Sequence, residues 1–219
     1  MGKDRDVADN LTRVIAREYK VMIDPTRFGD QDAATKLFWE ELVDLARTES
    51  VEAKDQFKDV EERRIIFLDT PDQTLRGNNL ILRRRRPRGG ENEYTLKCRS
   101  EDRYVAGGTD VEARRGDKPE SKFEEDIAPP FRCRFSRSNT VVFSNAVPET
   151  IGEAARIFPV IGTIQQEGRP IGKEIPLNVV HKIEAFERVH EGGKLFFKEL
   201  GPNGDDVKAK AALIIWSNG

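Results

Sequence analysis

The residues of this chain best suited to chemistry are cations spaced two apart. Arg83 and Arg85 lie within Leu80-Ile-Leu-Arg-Arg-Arg-Arg, and Lys97 and Arg99 within Glu93-Tyr-Thr-Leu-Lys-Cys-Arg. Successive side chains of a strand point to opposite faces, so each pair projects from one face. Cations gathered on neighbouring strands repel unless an anion, acidic partners or water lies among them. A polyphosphate meets that need, because arginine offers paired donors to phosphate oxygens and lysine a compact charge.

Two further arrays carry acidic groups at the same spacing. Glu18 and Lys20 share a face of the segment 14–23, and Lys122, Glu124 and Asp126 share a face of 122–127, with Phe123, Glu125 and Ile127 on the other. Carboxylates are the hard oxygen ligands preferred by Mg²⁺ and Mn²⁺, ions that also bind substrate phosphates. Taken singly, each array also reads as a solvated strand edge or an exposed surface. The run Arg83 to Arg86 alone also reads as a patch for nucleic acid or a partner. Their conjunction on alternating strands favours one enclosed polyphosphate site.

The 219 residues can bury a sizeable core and form one large or two small domains. Charged residues make up 35% of the chain, yet 37 basic side chains meet 39 acidic ones for a net charge of -2. That balance argues against a nonspecific nucleic-acid binder and suits mixed arrays of both signs. Cys98 and Cys133 make neither a disulfide framework nor a metal spacing, and His181 and His190 are too few for a histidine metal site. The opening Met-Gly-Lys-Asp-Arg-Asp lacks an apolar leader, and no apolar run reaches membrane-spanning length. The expectation is a cytoplasmic protein with no membrane partner; a homo-dimer is compatible with it.

Elements must hold these residues in place. The patterning predicts a first strand over 14–23 and a helix over 30–47, with Asp30 or Asp32 as its cap and Phe38 and Trp39 as packing residues. Residues 50–62 read as a linker or exposed turn. Strands follow over 63–69, 80–86 and 93–99, the last two joined through the Gly-containing turn 87–90. Gly107, Gly108 and Gly116 mark loops, and a strand over 122–127 stops at Pro129-Pro130. A helix is predicted over 151–158. Strands over 179–189 and 194–200 flank Glu191-Gly192-Gly193 as a hairpin, and 211–216 forms a last strand. The sum is an α+β fold, an antiparallel barrel or strongly curved sheet with a few helices.

Phe67-Leu-Asp-Thr-Pro-Asp-Gln-Thr-Leu75, Leu80-Ile-Leu-Arg83-Arg-Arg85 and Tyr94-Thr-Leu-Lys97-Cys-Arg99 resemble the aromatic-x-Asp-Thr, Leu-Arg-x-Arg and Thr-Leu-Lys-x-Arg strands of the CYTH superfamily, the triphosphate tunnel metalloenzymes. The resemblance spans about residues 14–200 and is weaker after 100. It implies one domain over 1–219, an eight-stranded antiparallel β-barrel with a polar tunnel and flanking helices. It implies that Lys20, Arg83, Arg85, Lys97 and Arg99 grip the phosphates, that Glu18, Glu124 and Asp126 hold Mg²⁺ or Mn²⁺, and that Glu18 and Lys20 serve catalysis. Arg134 joins the phosphate contacts on spacing alone. The ligand would be a triphosphate-containing small molecule or inorganic polyphosphate.

The chain departs from the family in two places. The family opens on Glu-x-Glu-x-Lys, whereas Ala16-Arg17-Glu18-Tyr19-Lys20 has alanine first. The late Glu-x-Glu pair has no counterpart at that spacing; Glu184, Glu187 and Glu199 are the nearest acids, and the expectation drawn from the resemblance is that a closing acidic strand is missing after Leu213-Ile-Ile-Trp216. Three functions follow from the resemblance: a metal-dependent phosphohydrolase, a non-catalytic polyphosphate-binding module, and a class IV-like adenylate cyclase.

Overall fold

A computed structural model describes residues 13–144, 146–201 and 203–218. The N-terminal hexapeptide, on which the expectation of no apolar leader rests, lies outside them. Two compact units make up the chain, Met1–Val21 with Arg64–Glu184, and Met22–Arg63 with Ala185–Gly219. Each is assembled from two separated stretches, so no linker marks a boundary in the sequence.

The first unit is built on a sheet in the order β1 (Ala16–Tyr19), β6 (Asp117–Ala128), β7 (Arg132–Val142), β5 (Glu93–Ser100), β4 (Leu80–Pro87) and the end of β3 (Asp59–Asp69). Antiparallel ladders join β6 to β7, β7 to β5 and β5 to β4, while β1 runs parallel to β6. The short strands β8 (Gln165–Gln166) and β9 (Arg169–Pro170) pair with each other, and β10 (Asn178–Val179) pairs with the end of β3. One face of this sheet is apolar. Ile66, Leu68, Leu80, Leu82, Tyr94, Leu96, Cys98 and Val141 cluster there with Ile151, Ala154 and Ile157 of a helix, α4 (Ile151–Ile157), and with Phe158 and Ile161 beyond it. Thr150 caps that helix by accepting from the Glu153 N–H at 3.2 Å. Asp69 ends β3 by accepting from the N–H groups of Thr70, Leu75 and Arg76 at 2.8, 2.8 and 3.0 Å, which fixes the short helix α2 (Thr74–Gly77).

In the second unit the helix α1 (Gln31–Thr48) begins at Asp30, whose carboxylate accepts from the Ala33 N–H at 3.1 Å. Trp39 is buried on it and meets Phe57 edge-on at 5.1 Å. β11 (Ala185–Phe197) pairs along its length with β12 (Val207–Asn218), and β2 (Glu52–Lys54) adds to β11.

The α+β class expected from the sequence is the class observed, mostly strand with few helices. Four local expectations differ. β1 is shorter than the strand predicted over 14–23, because its partner β6 ends at Pro129-Pro130, which supply no N–H for a longer ladder. The stretch 50–62 holds β2 and the start of β3 rather than a linker. Gly107 and Gly108 close a short helix, α3 (Arg103–Gly108), started by Asp102, which accepts from Tyr104 N–H at 2.7 Å. Glu191-Gly192-Gly193 is not a turn: β11 runs through it with a register shift. Among the described residues no helix is long and apolar enough to cross a membrane.

Candidate anion-binding site

Register decides which side chains share a face, because directly opposed residues of paired strands project together. Arg83 faces Thr95 and Arg85 faces Glu93 across β4 and β5. On β7, Lys97 faces Ser138, Arg99 faces Ser136 and Thr95 faces Thr140. On β6, Ser138 faces Lys122, Ser136 faces Glu124 and Arg134 faces Asp126. Finally, Asp126 faces Glu18 and Glu124 faces Ala16. Every charged residue singled out on these strands therefore falls on one face, opposite the apolar core. Lys20 follows directly on β1, and its N–H donates to the Ile127 carbonyl at 2.8 Å.

At the centre of this face the groups are buried: Asp126 is 4% exposed and Glu124 8%, with Ser136, Ser138 and Thr95 buried beside them. The Lys20 ammonium donates to Asp126 Oδ1 at 2.7 Å and lies 2.7 Å from Glu18 Oε2. Arg99 donates to Asp126 Oδ2, and Ser136 Oγ donates to the same oxygen at 3.2 Å. Lys97 Nζ stands 3.7 Å from Glu124 Oε2. Arg83 reaches the Thr95 hydroxyl at 3.3 Å, and Thr95 meets Thr140 at 2.8 Å.

The electrostatics follow from this packing. Burial lowers the Lys97 pKa; Glu124 and Asp126 pull it back up, and the charges of Lys20 and Arg83 add to the lowering. Burial, then the charge of Glu18, raises Glu124, against the pull of Lys97 and Lys122. Burial also opposes ionisation of Asp126, but the hydrogen bond and charge of Lys20 and the charges of Arg99 and Lys97 outweigh it and hold this carboxyl below its ordinary value. For Lys20 the same contest runs against desolvation, and the hydrogen bonds to Asp126 and Glu18 win, raising its pKa.

Two charged residues of the face sit at its margin. Arg134 shares the face, but its guanidinium is half exposed and lies 3.8 Å from Glu101. Lys122 lies 3.0 Å from Glu120 near the other end. Of the late acids, Glu184 accepts from Arg84 at 2.7 Å, Glu187 accepts from Trp216 Nε1 at 3.0 Å and from Arg63 at 3.3 Å, and Glu199 is exposed. Sequence reasoning missed the hydroxyl row of Thr95, Ser136, Ser138 and Thr140. Its signal is the Ser-x-Ser-x-Thr alternation of 136–140, which has the same period as the charges.

Among the described residues no group of three or more His, Cys, Asp or Glu side chains is arranged to hold a metal ion. Asp126 has both oxygens engaged by protein donors. Glu18 Oε2 lies 2.7 Å from Lys20, and Glu124 Oε2 lies 3.7 Å from Lys97.

Fold and site together define an α+β sheet protein with a cation-rich polar face. No protein-family model and no curated protein sequence matches the chain. Among solved structures it is similar to the candidate adenylyl cyclase HpAC1 from Hippeastrum, described as having a dominant triphosphatase activity. The two share 10% identity at a TM-score of 0.37, over 90% of this chain and 76% of that one.

Proposed function

We propose that this protein is a divergent member of the CYTH superfamily that holds the phosphate chain of a triphosphate-containing small molecule, or inorganic polyphosphate, on the polar face of its first unit and hydrolyses it with Mg²⁺ or Mn²⁺. One observation carries the reading: register sets Arg83, Arg85, Lys97 and Arg99 of two adjacent strands on one polar face, where they outnumber the buried carboxylates Glu124 and Asp126. Burying cations together is costly, and the cost is offset when a polyanion lies among them. The hydroxyls of Thr95, Ser136, Ser138 and Thr140 add neutral donors between the cations.

The carboxylates fit a metal that arrives with its substrate. Mg²⁺ is commonly held by one or two carboxylates together with phosphate oxygens, and Glu18 with Glu124 supply that number. Bound there, the ion would withdraw charge from the phosphates and favour attack by water. Lys97, Arg83, Arg85 and Arg99 orient the chain and neutralise it. Lys20, bridging Glu18 and Asp126, is set to contact the phosphate nearest the carboxylates.

Ala16 favours a second reading, a binding module without turnover, because the residue that faces Glu124 in register brings no carboxylate. Phosphate release from tripolyphosphate, ATP and thiamine triphosphate, each with Mg²⁺ and with Mn²⁺, separates the two. Release supports the hydrolase. Tight tripolyphosphate binding with no release leaves the binding module, and cyclic AMP formed from ATP would identify the cyclase.

A further inference from the structure

Resting on that reading, we propose that Asp126 is not a metal ligand but an internal counter-ion, a stand-in for phosphate that a bound phosphate must displace, which sets a threshold the added contacts of a phosphate chain overcome. The carboxylate is 4% exposed, and protein donors occupy both of its oxygens: Lys20 on Oδ1 at 2.7 Å, and Arg99 with Ser136 on Oδ2, the latter at 3.2 Å. A negative group with two oxygens between an ammonium and a guanidinium is what a phosphate would present to the same pair. The surrounding charges are Glu18 on β1, Glu124 and Lys122 on β6, Lys97 on β5 and Arg134 on β7.

An anion that takes Lys20 and Arg99 leaves Asp126 buried with Ser136 as its remaining donor. For a single phosphate this exchanges one buried anion for another, and little is gained. A chain of phosphates also reaches cations that have no bond to Asp126. Lys97 and Arg99 are two residues apart, about 6.6 Å along a strand, and Arg83 lies on the neighbouring strand about 4.8 Å across. Those added contacts make displacement of Asp126 favourable only for the longer anion.

The test is the Asp126→Asn variant, titrated calorimetrically with sodium orthophosphate and with sodium tripolyphosphate without divalent metal. Orthophosphate affinity should rise about tenfold, the effect of one charge-assisted contact. Tripolyphosphate affinity should rise by a similar factor, because both anions displace the same carboxylate. An affinity for either anion that is unchanged or lower overturns the proposal. Should the variant fail to fold, the ¹³Cγ resonance of Asp126 in the wild-type protein gives the answer. It should move when tripolyphosphate is added and stay in place with equimolar orthophosphate; a resonance that tripolyphosphate leaves in place overturns the inference. Wild-type protein that does not bind tripolyphosphate would instead remove the polyphosphate reading beneath it.

Discussion

Ala16 of β1 and Glu124 of β6 stand opposite one another in a parallel ladder, on the polar face of the sheet. A carboxylate at position 16 would therefore enter beside a buried carboxylate whose ionisation is already disfavoured by burial and by Glu18. Like charges directly opposed on a sheet destabilise by up to about 1 kcal/mol. The Ala16→Glu variant should melt about 2–4 °C below wild type in chelator, given the usual slope for a chain of this size. Mn²⁺ with tripolyphosphate should recover that loss, because a cation between the two acids removes the repulsion. Thermal melts with and without Mn²⁺ check it; equal melts throughout would show that the two positions do not share an ion.

Arg85→Ala should weaken tripolyphosphate binding about tenfold or more, since a hydrogen bond to a charged group contributes about 1.5–3 kcal/mol. Arg85 is half-buried at the β4 end of the face, opposite Glu93. Its loss should leave the circular dichroism spectrum and melting point near wild type. Unchanged affinity by calorimetry would put Arg85 outside the site.

Acid and base should act on the two central carboxylates in opposite directions. Asp126 is held below its ordinary value of 3.8, so its contribution is present above that pH and is lost as pH falls through its native value. Glu124 is raised above its ordinary 4.5, so its contribution is present below that pH and is lost as pH rises through its native value. Urea denaturation across pH 2–8 should show Asp126→Asn flattening the acid limb and Glu124→Gln flattening the decline above about pH 4.5. Parallel profiles for wild type and both variants would contradict these environments.

What could be read from the sequence was the face, and what could not was the partner. A period of two needs only a strand assignment, so Arg83 shares a face with Arg85, Lys97 with Arg99 and Glu124 with Asp126 on local pattern alone, while the register gathers the three pairs onto one face. The bond from Lys20 to Asp126 spans 106 positions and depends on β1 lying parallel to β6 in one register. Nothing local encodes that register. Arg134 shows the reverse limit: its spacing puts it on the face, but its long side chain reaches Glu101 instead. The hydroxyls of Ser136, Ser138 and Thr140 alternate as regularly as the charges, but hydroxyl alternation is common to solvated strands and does not by itself mark a site.

Glu191-Gly192-Gly193 resembled a hairpin because glycines so often make turns, yet here they permit close approach. A Cβ on Gly193 would come within 2.4 Å of the Trp39 ring, and Gly192 has φ +117° with the Gln56 carbonyl 2.5 Å from where its Cβ would be. Gly193→Ala should cost about 1–3 kcal/mol, the usual range for overpacking a filled site, and quench or shift Trp39 fluorescence. Denaturation with fluorescence detection reads both. A variant as stable as wild type would mean that α1 does not pack against β11 at this point.

A crystal of the 219-residue chain soaked with tripolyphosphate and Mn²⁺ shows whether cations of the polar face grip a phosphate chain. Phosphate oxygens should lie within hydrogen-bonding distance of Lys97, Arg83 and Arg99, with anomalous manganese density beside Glu18 and Glu124. Tripolyphosphate bound elsewhere, with Lys20 and Arg99 still on Asp126 and Lys97 still beside Glu124, would contradict the proposed function.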